Sequence, residues 1–230
     1  SMDAGACGWS AQRMVPDGPA AVQRDFDGSP MPTDVMHDET CRELAKVLRE
    51  RNDGFMQMLY VSGDNAKDRA FYEELSEISG RPMIMNVVQA FDDRPQIHRR
   101  TLEWLRSCRE RGIRVVGQGL TTDAGFTFDF IDWNLFDDAP AWLDATLGTT
   151  EERKAKLGDP DRREALKETL PRTAVGPFND IVILGPQLEK NKQWEDFSLG
   201  LAAEKMGKHP VDAMLDMAVE EDLKTVFFAA

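Results

Sequence analysis

Residues 55–88 read FMQMLYVSGDNAKDRAFYEELSEISGRPMIMNVV. Phe55–Val61 is an apolar run of strand length, and the segment after it sets Phe71, Leu75 and Ile78 on one helical face. Gly80-Arg81-Pro82 ends that segment, and a second apolar run follows at Met83–Val88. A strand, a helix and a strand with no hairpin turn between them form a crossover unit, the connection that parallel strands require. The cadence continues in both directions. Upstream lie a run at Ala6–Ser10, a long Pro/Gly-rich loop and a helix from near Asp38, with Cys41, Leu44, Ala45 and Leu48 on its apolar face and Asn52-Asp53-Gly54 closing it. Downstream, a helix after Arg94-Pro95 carries Ile97, Thr101, Trp104, Leu105 and Cys108 on one face, and Gly112 precedes a run at Ile113–Gly117. Further runs at Ile181–Leu184 and Thr225–Phe228 read as more parallel strands. The expected fold class is α/β, strands inside and helices outside.

The rhythm breaks at residues 120–179, which read as an insertion between strands. This stretch begins with Phe126, Phe128, Phe130, Trp133 and Phe136 interleaved with Thr127, Asp129 and Asp132. It reads either as a lid over a strand-end site or as an insertion packing its own small core, the second being preferred. Two short helices follow, and Asp159-Pro160 supplies the N-cap and first residue of the latter. Helices are expected from about Leu199 to Met206 and along Val211, Met214, Leu215, Ala218 and Val219. Because the chain opens on one strand and stops inside another, it reads as a piece of something longer.

The 230 residues carry 41 acidic and 28 basic side chains, a net charge of −13. That balance argues against nucleic acid and against anionic membrane surfaces as partners. No apolar stretch approaches membrane-spanning length. Three widely spaced cysteines, Cys7, Cys41 and Cys108, form no CxxC pair. Cys41 and Cys108 fall on helical apolar faces and Cys7 within the first strand, which suits buried thiols in a reducing cytoplasm.

Active sites of parallel α/β barrels gather at strand carboxyl ends. There the chain places Gln12 and Arg13, then Asn86 and Gln89, then Gln118 with Thr121, Thr122 and Asp123. Amides inside apolar strands either tie loops together or face a ligand. Arg13 reads as a fork for a substrate carboxylate or as half of an ion pair. Asp123 reads as a base or a loop cap. The substrate-binding candidates are therefore Arg13, Gln89, Gln118, Thr121, Thr122 and Asp123. The three histidines have no ligand spacing: His98 reads as a solvated helix position, His37 and His209 as residues before helices. Asp129, Asp132, Asp137 and Asp138 lack calcium-loop spacing. Gly117-Gln118-Gly119 fails as a dinucleotide fingerprint because Thr122 stands where the third glycine belongs.

Several segments together resemble the D-aminoacylase-like branch of the amidohydrolase superfamily, which includes N-acyl-D-amino-acid deacylases. They are the opening MDAGACGWSAQR, Gly80-Arg81-Pro82 with MIMNVVQ, the stretch PAWLDATLGTTEERKAKLGDPDRREALKE, and the tail SLGLAAEKMGKHPVDAMLDMAVEEDLKTVF. The resemblance implies a partial (β/α)8 TIM-type barrel: residues 1–230 as one barrel domain, its middle strands and helices present, its flanking β-sandwich missing. It also implies zinc-dependent hydrolysis of a C–N amide bond in a small N-acyl amino-acid-like substrate. The family's His-x-His pair does not occur here, and the strand ends carry Asn86, Gln89 and Gln118 instead of histidines. Zinc is thus implied for a longer parent protein, with no metal site expected in this chain and no activity from it alone. The other reading is a non-catalytic barrel that binds a small ligand or assembles with a partner chain, including a second copy through open barrel edges.

Overall fold

β1 (Gly8–Met14), β2 (Phe55–Val61), β3 (Met83–Val88) and β4 (Val115–Gly119) form a parallel sheet. Their order in the sheet is their order in the sequence. The connections are α1 (Asp38–Arg51), α2 (Asn65–Ser79) and α3 (Gln96–Glu110). The computed structural model describes residues 2–14, 22–25, 27–91, 94–121, 125–132, 134–137, 139–170 and 176–229. They divide into two units: Ser1–Gln23 with Pro30–Thr122, and Arg24–Ser29 with Asp123–Ala230.

In the first unit all three helices lie on one side of the sheet. Met56, Met58 and Tyr60 of β2, Met83 of β3 and Val115 of β4 share a single core with Cys41, Ala45 and Leu48 of α1, Phe71, Tyr72 and Leu75 of α2, and Trp104 and Cys108 of α3. Strand side chains alternate between faces, so Gln57, Ile84, Val116 and Gln118 stand on the other one. Val116 is 53% exposed and Gln118 is exposed. Gln57 Nε2 donates to Gln118 Oε1 at 2.6 Å across that face, and Ser10 Oγ donates to Gln57 Oε1 at 3.3 Å.

Polar groups at the helix–sheet junction are matched. The Glu73 carboxylate accepts from both Nη atoms of Arg111 at 2.8 and 2.7 Å and from Trp104 Nε1 at 2.7 Å, which ties α2 to α3. The Arg111 guanidinium beside it holds that carboxyl down, to about 2. Tyr72 Oη donates to the Met58 carbonyl at 3.1 Å and accepts from the Tyr60 N–H at 2.8 Å. Tyr72→Phe keeps the ring but strands both backbone groups. It should cost about 1–3 kcal/mol in urea unfolding, and a cost below about 0.5 kcal/mol would mean the pair finds other partners.

Several sequence expectations shift. β1 spans Gly8–Met14 rather than residues 6–10, so Cys7 lies just outside it and is exposed, while Gln12 and Arg13 are strand residues. A charged residue continues the strand because its charge is matched, as described below. The runs read as fifth and sixth parallel strands pair differently. β5 (Phe126–Phe128), β6 (Val182–Gly185) and β7 (Val226–Ala229) form an antiparallel sheet of order β5-β7-β6 in the second unit. An apolar run gives length and burial but no chain direction.

The second unit also contains α4 (Pro140–Ala145), α5 (Thr150–Gly158), α6 (Pro160–Glu168), α7 (Leu199–Met206) and α8 (Pro210–Glu220). Asp159 caps α6, accepting from the N–H groups of Asp161 and Arg162. Phe128, Phe130 and Phe136 are buried in one core with Trp142, Phe178, Met214, Leu215 and Phe227. Trp133 and Asp138 lie outside the described residues. Arg24 bonds Asp137 through Nε at 2.8 Å and Nη2 at 3.0 Å, so this aspartate is spent on an ion pair. Asp129 accepts from the N–H groups of Ile131 and Asp132, closing a local turn.

Candidate functional site

Two cavities open at the carboxyl ends of β1, β2 and β3, and Tyr60 lines both. The first, about 270 Å³, is bounded by the ends of β2 and β3 and the starts of α2 and α3. Its polar lining includes Asn65, Asp68, Arg69, Asn86, Gln89, His98 and Thr101. The ladder between β3 and β4 shifts register between Asn86 and Val88, where the strand leaves its regular course. Asp68 is committed to its own loop, accepting from the Ser62 N–H at 3.2 Å and from the Ser62 hydroxyl. Arg69 lies over the Trp104 ring, 5.5 Å from its centroid. His98 is half-buried, and its Nδ1 is enclosed without a hydrogen-bond partner among the described residues.

The second cavity, about 550 Å³, is lined by Arg13, Met14, Val35, Met36, His37, Asp38, Glu39, Tyr60 and Lys67. Arg13 is buried, its Nη2 2.5 Å from Asp38 Oδ1 and its guanidinium 5.3 Å from the Tyr60 ring centroid. Arg13 Nε is enclosed without a partner among the described residues. His37 is the N-cap of α1 and makes no side-chain cap hydrogen bond, so the helix opens with uncapped N–H groups. Below it, Asp34 accepts from Gln12 Nε2 at 3.3 Å and from the Gln23 N–H at 2.8 Å, securing the loop after β1.

The sequence candidates are thus spread over several places. Arg13 lines the second cavity and Gln89 the first. Gln118 lies on the exposed sheet face, bonded to Gln57, and Thr121 is exposed. Thr122 and Asp123 lie outside the described residues. His98, read as solvated, faces the first cavity instead; helix position alone does not reveal the strand ends that enclose it. His209 caps α8, accepting from the Val211 N–H at 3.2 Å. Gly117 answers to packing, since a Cβ there would sit 2.6 Å from Val88 Cγ2 and 2.8 Å from Leu105 Cδ1. Arg69 and Asp68 carried no sequence signal and Thr101 only its place on the apolar face of its helix, because each joins the site through the crossover geometry.

Chemically, the two cavities offer the amides of Asn65, Asn86 and Gln89, the guanidinium groups of Arg13 and Arg69 and the imidazoles of His37 and His98, beside the carboxylates of Asp38, Glu39 and Asp68, a set that can bind and orient a polar small molecule. For zinc, the test is the donor set. Among the described residues no group of three or more His, Cys, Asp or Glu side chains is arranged to hold a metal ion, so these residues do not fit the ion that the family resemblance implies. No helix among them is long and apolar enough to cross a membrane.

No family model matches the sequence, and no curated protein matches it. Among solved structures, the chain is similar to the crystal structure of N-acyl-D-glutamate deacylase from Bordetella bronchiseptica, complexed with zinc and a phosphonate inhibitor that mimics the tetrahedral intermediate of the reaction. The two are 15% identical with a TM-score of 0.39, over 87% of this chain and 32% of that one. At that TM-score the likeness does not establish a shared fold.

Proposed function

We propose that the chain is the central part of a βα-barrel hydrolase acting on the C–N amide bond of a small N-acyl amino-acid-like substrate, and that its share of the work is substrate binding. One observation carries this reading. Strand order follows the sequence, β1 to β4, and all three helices cover one face. Doubly wound folds reverse their strand order and place helices on both faces, whereas a singly wound barrel does neither. The strand carboxyl ends, where barrel sites form, here open into the two cavities around Tyr60. Asn86 and Gln89 suit an acyl amide, which needs both a donor and an acceptor. Arg13 retains an unused Nε–H. The described residues do not fit zinc. On this reading the reacting groups come from parts of the protein outside the described residues.

A second reading, a barrel that binds a small ligand without cleaving it, is favoured by the same donor set: amides and a paired arginine, with no metal-holding group among the described residues. Both readings place the chain in a reducing cytoplasm, which the buried Cys41 and Cys108 support. Burial pushes both thiols up, Cys108 to about 11, so they are poor nucleophiles.

Titration of the chain with N-acetyl-D-glutamate and N-acetyl-D-leucine, followed by side-chain amide NMR, tests the binding claim. The Asn86 and Gln89 resonances should shift, and Gln89→Leu should weaken binding about tenfold, roughly 1.4 kcal/mol. No shift with any N-acyl amino acid would sink it. The full-length protein's hydrolysis of the same compounds, with and without zinc, separates the two readings. Turnover by this chain alone would overturn the division of labour.

A further inference from the structure

The first cavity is short of available negative charge, in a chain that holds 41 carboxylates against 28 basic groups. Among the described residues its lining carries one carboxylate, Asp68, and that group is turned to Ser62, accepting from its N–H and its hydroxyl. The next residue, Arg69, is half-buried and lines the same cavity. Its guanidinium lies 5.5 Å from the Trp104 ring centroid, and no carboxylate or other hydrogen-bond acceptor among the described residues meets it. The expected partner is Glu73, one helical turn on. Glu73 is already spent, accepting from Arg111 at 2.8 and 2.7 Å and from Trp104 Nε1 at 2.7 Å. The last of these bonds also fixes the indole on which Arg69 rests. Arg13 is the contrast, because its Nη2 lies 2.5 Å from Asp38 Oδ1.

Covalent geometry then chooses between the two arginines. In an N-acyl amino acid the amide nitrogen and the carboxylate carbon are separated by a single Cα, about 2.5 Å apart. Whatever cavity holds the amide must therefore hold the carboxylate as well. Asn86 and Gln89, the amides that suit the acyl group, line the cavity that Arg69 lines, whereas Arg13 lines the other one. A cation–π contact holds a guanidinium in place without using its hydrogen-bond donors. The N–H groups of Arg69 are thus left to meet a carboxylate in pairs.

We propose that Arg69 reads the carboxylate of the substrate in the first cavity, while Asn86 and Gln89 take the acyl amide. The inference rests on the proposed binding of an N-acyl amino acid at this site, whether or not that ligand is cleaved. It adds a specificity: the ligand must carry a free carboxylate beside its amide. A neutral analogue with the same acyl group leaves the guanidinium without its counter-charge and is discriminated against for that reason.

Isothermal titration of the 230-residue chain tests it with two probes, N-acetyl-D-leucine and N-acetyl-D-leucinamide, which differ only in carboxylate against carboxamide. The acid should bind at least about tenfold more tightly than the amide. Arg69→Met keeps the aliphatic stem. It should bring the acid down to the affinity of the amide and leave the amide within about twofold of its parent value. Arg69→Lys should recover part of the loss, since it restores the charge but not the fork. Arg100→Met removes the same charge from an exposed position on α3 outside the cavity lining, and should change acid binding less than about twofold. Urea midpoints check that each variant folds, and the comparison of the two probes on the parent chain needs no variant. Equal binding of acid and amide by the parent would overturn this inference and leave the proposed amide binding intact. An undiminished preference for the acid in Arg69→Met would overturn it too. Equal losses in Arg69→Met and Arg100→Met would overturn it by assigning the effect to net charge. Binding of neither probe, with no shift of the Asn86 and Gln89 side-chain resonances, would remove the inference together with the reading it rests on.

Discussion

Phe136→Ala should destabilise the second unit by about 3–5 kcal/mol, the range for emptying a large buried aromatic site. Phe136 is 0% exposed although it lies in a loop. Its ring centroid lies 4.6 Å from that of Trp142, 5.3 Å from Phe128, 5.9 Å from Phe178 and 6.0 Å from Phe130. Truncation leaves four aromatic neighbours facing a void, and aromatic pairs add their own preference to the lost burial. The loop cannot close the gap cheaply, because the Phe136 N–H is held by Asn134 Oδ1 at 2.9 Å and its carbonyl by the Ala139 N–H at 3.1 Å. Hydrogen exchange at Ile183 and Phe227 reads the effect. Phe126→Ala is the matched control: that ring is 44% exposed and should cost under about 1 kcal/mol. Equal effects from the two would show that the aromatic cluster is not the seat of stability.

Glu221 is the second site of large effect. Its carboxylate is buried yet fully used: Oε2 accepts from the Gln187 N–H at 2.8 Å and Thr225 Oγ1 at 2.6 Å, Oε1 from the Leu188 N–H at 2.9 Å and Asn191 Nδ2 at 2.8 Å. Burial pushes this carboxyl up, but the bonds from Thr225, Gln187, Leu188 and Asn191 outweigh it and leave the group below its ordinary 4.5. Glu221→Ala strands four donors and should cost about 3–4 kcal/mol at neutral pH. Glu221→Gln is more discriminating. Its NH2 must confront two of the donors, and the cheaper orientation faces Thr225, whose hydroxyl can turn to accept. About 1.5–3 kcal/mol is expected. The pH dependence has a fixed sign. Because the folded carboxyl titrates below the unfolded one, its contribution is whole above the ordinary carboxylate value and is lost as pH falls through the folded one. Urea midpoints of the parent and Glu221→Gln should therefore converge on acidification from pH 7 toward pH 3. A gap that stays constant across that range would rule out the carboxylate as its source.

The first unit was the more legible half in the sequence. α1 shows Cys41, Ala45 and Leu48 buried and α2 shows Phe71 and Leu75 buried, as their spacing requires. Tyr72, Ser76 and Ser79 of α2 are buried as well, where polar atoms meet backbone partners that periodicity does not display. Arg13, at a strand end, reads either as a fork for a ligand carboxylate or as half of an ion pair, and the sequence does not name the partner. Arg13 is a strand residue whose charge is answered by Asp38, twenty-five residues on and adjacent only after folding. In the second unit, strand length was readable at residues 181–184 and 225–228 but direction was not, since parallel and antiparallel burial leave the same apolar run. The cavities around Tyr60 escaped because their walls come from four separate segments, and no one segment carries their signature.

The face of the four-stranded sheet that does not pack against α1, α2 and α3 bears on how this protein can change. Met56, Met58 and Met83 are held in the core, while Gln57, Val116 and Gln118 on the opposite face meet solvent or one another. Within the first unit, packing against the three helices acts on every second residue of these strands and does not fix the intervening positions. Side chains there can change without disturbing the packing against the helices, beside the strand ends that open into the cavities around Tyr60. The alternation makes this face a reservoir of variation from which altered specificity can be drawn without redesigning the core.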